Sequence, residues 1–365
     1  MRSAVRFQLP PELEAASPPE ARGLRRDHVR LLAVDRATGS VGHHRFHELP
    51  RLLEPGDLLV ANDSRTLPAS LLGRTSKGEP LEVRLAARDG ERWAALVPTD
   101  ARSAAPPVEA GERIGFAGGL EATVLGRHEE AGPLVWLAFD LASERLAEAL
   151  HRAGRPVRYA YVPRAWPLHH YQTLFAAGPG SAEMASAGRP FTLQTLRDLR
   201  DRGIGLATIS LHAGLSTYGD PATDQRYVPA EPYLVPEATA AAVATCRAAG
   251  GRVVAVGTTV VRTLETAAAG TGMVRPGPGV SRLRIRPGYG LAVVDGLLTG
   301  LHEPEASHLD LLAAFLDRPA LDRAYAAALA SGYLWHEFGD VCLLLPRRSA
   351  PTLRELTGNP TELPA

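Results

Sequence analysis

The chain has 365 residues, of which 45% are hydrophobic and 22% are charged, a composition typical of a folded globular protein and not of a disordered one. Forty basic and forty acidic residues give a formal net charge of zero. This excludes binding of nucleic acid through an overall basic excess, so that any contact with phosphates has to come from a local patch.

The cysteines and the first residues narrow the class further. Cys246 and Cys342 lie in apolar patterns typical of buried small hydrophobic residues. Neither a disulfide framework nor a cysteine metal site is therefore predicted. No apolar run reaches the roughly 20 residues that span a bilayer, and Met1–Pro10 lacks the apolar stretch of a secretory signal. We expect a cytoplasmic, monomeric enzyme without a membrane segment or a metal.

The first 155 residues contain short strand-like runs. Arg30–Asp35 and Asp57–Asn62 are predicted strands of a larger unit. From residue 65 to residue 155, short alternating segments follow one another without a helix, a pattern typical of a small β-barrel or sandwich. The predicted strands of this part are Leu81–Ala87, Arg92–Val97, Ala122–Leu125 and Leu134–Phe139.

From Val157 onward, apolar strands alternate with helical patterns. The predicted strands are Leu206–Leu211, Arg252–Val256 and Val341–Leu345, and the predicted helices are Leu193–Arg202, Glu237–Ala249, Val260–Ala269, Leu309–Leu316 and Leu321–Ala330. Continuous apolar strands indicate a sheet covered by helices on both faces. We predict an α/β fold: a large domain with a mixed sheet (1–64 and 156–346), an inserted β-barrel domain (65–155) and a flexible tail (347–365).

The segment Arg252–Glu265 gives the sharpest chemical signal. A buried strand ends at Gly257, and Thr258 and Thr259 begin a helix whose free backbone N–H groups attract anions. The hydroxyls could hold a carboxylate, although capping the helix explains them equally well. Arg262 and Glu265 follow on the same helix; they either contact a substrate or pair with each other.

Two histidines follow predicted strands in the same way. His212 and Gly214 come directly after Leu206–Leu211, and His302 comes after Leu291–Val294. Because ligands bind beyond the carboxyl ends of parallel strands, we expect these residues and Thr258 to meet at one edge of the sheet. A histidine there can transfer a proton near neutral pH, and a purely structural histidine is about as common.

Two further segments are ambiguous. Asp63 and Arg65, in the sequence Asn62-Asp-Ser-Arg65, follow a strand at the proposed domain junction. They either line a cleft or form a simple turn. Tyr171 and Gln172 are equally consistent with stacking on a base and with core packing.

Three arginines alternate in a strand-like run, so their side chains are predicted to share one face. Arg282, Arg284 and Arg286 are the best local candidates for phosphate contacts. A solvated edge strand protected by charge would show the same pattern.

Taken together, these segments resemble the S-adenosylmethionine:tRNA ribosyltransferase-isomerase family of queuosine biosynthesis. The matching motifs, in family order, are Asn62–Arg65, Tyr171–Thr173, Leu211–Tyr218, Gly257–Glu265, Pro287–Tyr289, Val294–Pro304 and Gly339–Leu343. By resemblance, the catalytic residues are His212, Thr258, Thr259, Arg262 and His302. The substrate- or donor-binding residues implied are Asp63, Arg65, Tyr171, Gln172, Gly188, Gly214, Glu231, Gly257, Glu265, Tyr289 and Asp340.

The resemblance implies an unusual reaction without a metal or an added cofactor. The ribosyl group of S-adenosylmethionine would move to a 7-aminomethyl-7-deazaguanine in the anticodon loop of tRNA. Adenine and methionine would leave, and rearrangement of the ribose would give epoxyqueuosine.

The chain is a divergent member of that pattern. The family's histidines are replaced by Pro190, Arg226 and Pro229, and its lysine is replaced by Glu305. Pro190 cannot transfer a proton. Two alternatives therefore stay open: a paralogue that uses S-adenosylmethionine on another, small-molecule acceptor, and a catalytically weak binding protein.

Overall fold

The computed structural model describes residues 6–98, 108–141, 143–304 and 306–346. The predicted tail at 347–365 and Glu305 lie outside the described residues. Among the described residues, the helices are α1 (Leu49–Leu52), α2 (Ser143–Ala153), α3 (Leu193–Asp201), α4 (Pro221–Arg226), α5 (Glu237–Ala248), α6 (Thr258–Ala267), α7 (Ser307–Leu312) and α8 (Arg318–Ala330).

Eighteen strands are present in the same part of the chain. They are β1 (Arg30–Asp35), β2 (Val41–Arg45), β3 (Leu58–Asn62), β4 (Arg65–Thr66), β5 (Ser70–Thr75), β6 (Pro80–Asp89), β7 (Arg92–Leu96), β8 (Arg113–Phe116), β9 (Glu121–Arg127), β10 (Leu134–Phe139), β11 (Gly154–Arg155), β12 (Pro179–Ser181), β13 (Gly205–Leu211), β14 (Glu231–Val235), β15 (Val253–Val256), β16 (Gly277–Ser281), β17 (Gly296–Gly300) and β18 (Val341–Leu345).

Nine strands form a large mixed sheet in the order β16-β14-β13-β3-β15-β17-β18-β1-β2. β13, β3, β15 and β17 run parallel to one another. Their carboxyl ends therefore meet at one edge, which we call the carboxyl edge. Because β18 is antiparallel to β17 and parallel to β1, the first residues of β18 and β1 lie at this edge too.

Both faces of the central strands are buried, which explains their continuous apolar sequences. Side chains alternate between the faces. Leu58 and Val60 of β3 join a core formed with α5, α6 and α8. Leu59 and Ala61 join a second core on the opposite face, around Phe191.

The segment between β4 and β11 forms a closed antiparallel barrel. Its strand order is β5-β6-β7-β10-β9-β8, and pairing of β8 with β5 closes it into six strands. The short β11 pairs with the other end of β5. Alternate residues such as Val83, Leu85 and Ile114 fill the interior of the barrel.

A buried ion pair fixes the amino ends of the central strands. Asp57 precedes β3 and Arg252 precedes β15, and the Nε of Arg252 donates to Asp57 Oδ1 at 3.0 Å. Asp57 Oδ1 also accepts the backbone N–H of Arg252 at 3.1 Å. Arg252 Nη1 donates to the carbonyl of Pro346 at 2.7 Å, just beyond β18. One arginine thus ties together three strands.

The structure confirms the predicted fold class, and it corrects two local predictions. Leu291–Val294 is not a strand, because the Glu265 carboxylate accepts the N–H groups of residues 292–294 that a sheet would use. The strand before His302 is Gly296–Gly300 instead. The run Arg282–Arg286 is also not a strand: β16 ends at Ser281, and Arg262 Nε binds the Leu283 carbonyl at 2.8 Å.

The predicted domain boundaries at residues 64/65 and 155/156 stay predictions, as does the monomeric state. Of the helices that the structure describes, none is both long and apolar enough to cross a bilayer.

Replacing Arg252 by Ala should destabilise the fold by about 3–5 kcal/mol, because it leaves the buried Asp57 carboxylate without its partner. Urea unfolding would measure the change. The matched control is Arg200→Ala, since the Arg200 side chain is 78% exposed and pairs only with Asp201 at the surface; a change within about 0.5 kcal/mol is expected there. Equal effects of the two substitutions would contradict this role of Arg252.

Candidate functional site

At the carboxyl edge, the side chain of Asn62 joins β3 to β13. Asn62, at the end of β3, donates from Nδ2 to the Leu211 carbonyl at 2.9 Å. Its Oδ1 accepts the backbone N–H groups of Leu211 at 3.0 Å and of Ser64 at 3.1 Å. Asn62 is only 2% exposed. It therefore fixes where β13 ends and where His212 begins.

His212 sits in a small hydrogen-bonded group. Its Nδ1 lies 2.8 Å from the hydroxyl of Ser64, and that hydroxyl lies 2.6 Å from the hydroxyl of Ser181. The ring packs directly on Gly180, where an added Cβ would lie 2.2 Å from Nδ1. Burial lowers the pKa of His212 below its ordinary value, and the Asp63 carboxylate opposes this more weakly. The imidazole is therefore neutral at physiological pH.

Residues beside His212 support its loop. Asp63 accepts a hydrogen bond from Ser210 Oγ at 2.5 Å. Gln172 binds both backbone groups of Thr66, at 3.1 Å and 2.8 Å. Tyr171 is buried against other aromatic rings, whereas the side chain of Arg65 is exposed. Of these four predicted site residues, Arg65 is exposed, Asp63 and Gln172 are half-buried, and Tyr171 is buried.

The start of α6 is an open donor site. Gly257 has φ +102°, a backbone conformation that favours glycine, and it turns the chain from β15 into the helix. Among the described residues, the hydroxyls and backbone N–H groups of Thr258 and Thr259 have no hydrogen-bond partner. Four donors without a partner thus lie in the first turn of a helix, at its positive end, where an anion is stabilised.

Arg262, one turn further along α6, pairs with Glu231 and not with Glu265. The other carboxylate oxygen of Glu231 accepts the N–H of Gly214 at 3.4 Å. Burial raises the pKa of Glu231, while Arg262 opposes the shift. Arg262 Nη2 is buried without a hydrogen-bond partner, so the guanidinium keeps one free donor near the helix start.

Two of four further predicted binding residues, Glu265 and Asp340, bind backbone N–H groups of the fold. Both oxygens of Glu265 accept backbone N–H groups of the 292–294 segment. Asp340 accepts the N–H groups of Arg30 at 2.6 Å and of Leu334 at 2.8 Å. Both carboxylates thus hold backbone segments in place, and their assignment as substrate- or donor-binding residues stays a prediction. Gly188 is buried. Tyr289 is half-buried, and burial raises the pKa of its hydroxyl.

His302 follows β17 and belongs to a group of stacked rings. Its Nε2 lies 2.9 Å from Thr299 Oγ1, and its ring stacks on His308 with centroids 4.5 Å apart. Burial lowers the pKa of His302 well below its ordinary value, and burial lowers the pKa of His308 to about 4. Both imidazoles are neutral.

The structure adds site residues that the sequence analysis missed. His336 and Glu337 line a small cavity at the carboxyl edge together with Pro190, Gly300 and Ser186. Burial lowers the pKa of His336 to about 4 and raises the pKa of Glu337 to about 7. They lie in an irregular loop without a periodic pattern, so the only available signal was their place two or three residues before the Gly339–Leu343 motif.

The three predicted phosphate contacts have different surroundings. Arg282 pairs with Glu130 of the barrel at 3.4 Å, and Arg284 donates to the carbonyl of Gln225. Arg286 is exposed. Arg226 lies close by, since one surface cavity is lined by Glu130, Arg226, Tyr227, Val228 and Arg282.

Among residues 6–98, 108–141, 143–304 and 306–346, no group of three or more His, Cys, Asp or Glu side chains is arranged to hold a metal ion.

A family model described as queuosine biosynthesis protein matches residues 2–344. The chain belongs to this family. It is 40% identical over 350 residues to an S-adenosylmethionine:tRNA ribosyltransferase-isomerase of Gloeobacter violaceus, covering 94% of this chain and 96% of that protein. It is 39% identical over 353 residues to the protein of the same description from Thermus thermophilus, covering 94% and 99%.

A solved structure agrees with this assignment. The crystal structure of S-adenosylmethionine tRNA ribosyltransferase from Thermotoga maritima is similar with a TM-score of 0.53 and 31% identity, covering 94% of this chain and 100% of that one. The resemblance inferred from the motifs and the predicted α/β fold with an inserted barrel are both confirmed.

Gly180→Ala should displace the His212 ring, because the new Cβ would overlap it. The ring then becomes more exposed, and the pKa of His212 should rise toward about 6.5. An NMR titration of the histidine Cε1–H signals would show this. Gly178→Ala is the control, since its Cβ would meet nothing within 4 Å. An unchanged His212 titration in Gly180→Ala would contradict the packing described above.

Glu337 should make stability fall as the pH rises. Its pKa is about 7 in the fold against an ordinary value of 4.5, so the folded state keeps a proton that the unfolded state releases. This contribution is complete below about pH 4.5 and is lost as the pH rises through about 7. Glu337→Gln should therefore melt a few degrees above wild type at pH 8 and at the wild-type temperature at pH 5. A difference independent of pH, measured by calorimetry, would contradict the assignment.

Proposed function

We propose that the protein transfers and isomerises the ribosyl group of S-adenosylmethionine onto 7-aminomethyl-7-deazaguanine in tRNA. The products are epoxyqueuosine, adenine and methionine. Family membership supports this proposal, and so do the names of the relatives. The observation that carries it is the start of α6, where the hydroxyls and N–H groups of Thr258 and Thr259 are free and Arg262, one turn further along the helix, has a spare Nη2.

The carboxylate of the methionine part of the donor suits this helix start. Backbone N–H groups and hydroxyls bind the carboxylate directly, and the helix dipole adds to the attraction. Gly257 lets the ligand approach the backbone, because it has no side chain at this position. S-adenosylmethionine is proposed as a substrate, and no metal or other cofactor is invoked.

Neutral imidazoles at the same edge suit proton transfer. The reaction needs a base near the acidic carbon beside the sulfonium, and a neutral histidine accepts a proton without first losing one. His212 and His302 are neutral for the same reason, burial. We assign proton transfer to His212, with Ser64 orienting its ring.

The tRNA is proposed to lie against the exposed Arg65, Arg226 and Arg286, since phosphates are bound mainly by arginine and lysine. One observation favours the alternative of a small-molecule acceptor. Arg282 and Arg284, which were the predicted phosphate contacts, already bind Glu130 and the Gln225 carbonyl. Fewer free arginines are then left to bind an anticodon loop.

A complementation assay tests the proposed function. The protein is expressed in a bacterium that lacks its own ribosyltransferase-isomerase, and digested tRNA is analysed by mass spectrometry. Epoxyqueuosine or queuosine should appear. If soluble protein accumulates and tRNA retains only the 7-aminomethyl precursor, tRNA is not the acceptor.

His212→Ala should lower the rate about 10²-fold or more if His212 carries the proton. The steady-state rate of adenine release measures this, and an unchanged rate would remove His212 from that role. His151→Ala is the control, because His151 is an exposed residue of α2 in the barrel part of the chain.

Replacing Thr259 by Val keeps the shape of the side chain and removes its hydroxyl. Affinity for S-adenosylmethionine should fall about tenfold, because a hydrogen bond to a charged group is worth about 1.5–3 kcal/mol. Isothermal calorimetry measures it. Thr271→Val, near the far end of α6, should bind like wild type; equal losses in both variants would argue against a donor site at the helix start.

A further inference from the structure

His336 is held in an unusual state. It is the only non-glycine residue with positive φ (+73°) in the part of the chain that the structure describes, a conformation that L-residues rarely adopt. Its side chain is 5% exposed, and its ring stacks on Tyr161 with centroids 3.6 Å apart. The ring atom Nε2 is buried without a hydrogen-bond partner. An unpaired polar atom in such a place costs free energy unless something binds there.

Three carboxylates surround this ring, and we call them the acidic cluster: Glu14, Glu303 and Glu337. Glu303 Oε1 lies 3.2 Å from His336 Nδ1, and Glu14 Oε1 lies 3.7 Å from Nε2. Glu337 follows His336 directly and accepts a hydrogen bond from the Tyr161 hydroxyl at 2.8 Å. The 3.7 Å between Glu14 Oε1 and His336 Nε2 is longer than a hydrogen bond, so Glu14 does not satisfy Nε2.

The acidic cluster has no basic counterpart. Among the described residues, neither Arg nor Lys forms an ion pair with Glu14, Glu303 or Glu337. The carboxylates repel one another, which raises their pKa values. Burial has the largest effect in raising the pKa of Glu303, and the charge of Glu14 adds to it. Glu183 and Glu303 add to the effect of burial in raising the pKa of Glu337. Negative charge of this kind attracts a cation that can enter.

The cluster borders the proposed donor site. His336 and Glu337 line the cavity that Pro190, Gly300 and Ser186 complete. Ala187, next to Ser186, lies 3.7 Å from the position that a Cβ on Gly257 would take. Glu303 directly follows His302 in the chain. The wall of the cavity at Ser186 is therefore next in the chain to a residue that packs near Gly257, at the start of α6.

We propose that the acidic cluster binds the primary ammonium group of the acceptor. This rests on the proposed function, which requires an aminomethyl acceptor. Glu303 is 53% exposed and Glu14 is 34% exposed at their side chains, so a cation can reach them from solvent. A primary ammonium has three N–H donors, which suit a group of carboxylates without basic partners.

The same residues can prepare the amine for attack. An ammonium nitrogen has no lone pair and cannot form a bond to a ribosyl carbon. When one N–H bond breaks, its electron pair stays on nitrogen, and the proton moves to a carboxylate oxygen of Glu337. A carboxyl whose pKa is about 7 accepts that proton more readily than an exposed carboxylate does.

Calorimetry with two free bases tests the inference. The first probe is 7-aminomethyl-7-deazaguanine, and the second is 7-cyano-7-deazaguanine, which has the same ring system without the positive charge. Wild type should bind the aminomethyl base about tenfold or more tightly than the cyano base. The double variant Glu303→Gln/Glu337→Gln should lose this preference while its affinity for the cyano base is unchanged.

Two controls keep the result interpretable. Glu91→Gln, at an exposed turn of the barrel, should retain the preference. Glu14→Gln should weaken it, and this partly exposed residue offers a second variant if the double variant does not fold, as judged by its melting temperature. Lack of preference in wild type, or an unchanged preference in the variants, overturns the inference.

The result of the calorimetry can be distinguished from the result of the tRNA modification assay. If wild type forms epoxyqueuosine in tRNA and shows no preference for the aminomethyl base, the proposed function stands and this inference fails. If no modified tRNA forms and the preference is present and sensitive to the variants, the cluster binds an ammonium group and the acceptor is another amine.

Discussion

The parallel alignment of β13, β3, β15 and β17 is the constraint on which the site depends. The buried pair Asp57–Arg252 fixes the strands at their amino ends, and Asn62 fixes two of them at the other end. With both ends fixed, a side chain that follows a strand has little freedom of position. His212, Thr258 and His302 lie at the same edge because each one follows a strand of the same sheet by one or two residues.

Burial then sets the chemistry of these side chains. Burial is the main cause that lowers the pKa values of His212, His302 and His336. The imidazoles at this edge are therefore neutral. The opposite shift, a raised pKa, applies to the carboxyls of Glu231 and Glu337 for the same reason. Burial at this edge therefore moves histidines and carboxyls in opposite directions, and shifts of this kind suit acid–base chemistry.

Much of the fold could be predicted, because the determining forces are local. The runs Arg30–Asp35, Leu134–Phe139 and Val341–Leu345 are apolar enough to be strands in any setting, and their bounds agree with the structure. Gly257 and the two threonines after it indicated where α6 begins. The sheet and its inserted barrel follow from the order of these elements.

The rest depended on contacts between residues far apart in the chain. Leu291–Val294 has a strand-like sequence, and a carboxylate 27 or more residues away takes its N–H groups. Arg262 has Glu265 within reach on its own helix, yet it pairs with Glu231 from a neighbouring strand. The positive φ of His336 has no signature in sequence at all. A sequence pattern predicts helices and strands, whereas pairings between residues far apart in the chain are set only in the folded protein.

A crystal structure of the protein with S-adenosylmethionine bound would show directly whether the start of α6 is the donor site. The methionine carboxylate should lie at the start of α6, on the N–H and hydroxyl groups of Thr258 and Thr259, with the ribose facing the cavity beside Pro190 and Gly300. Binding of the donor away from the carboxyl edge, for example on the barrel, would contradict this prediction.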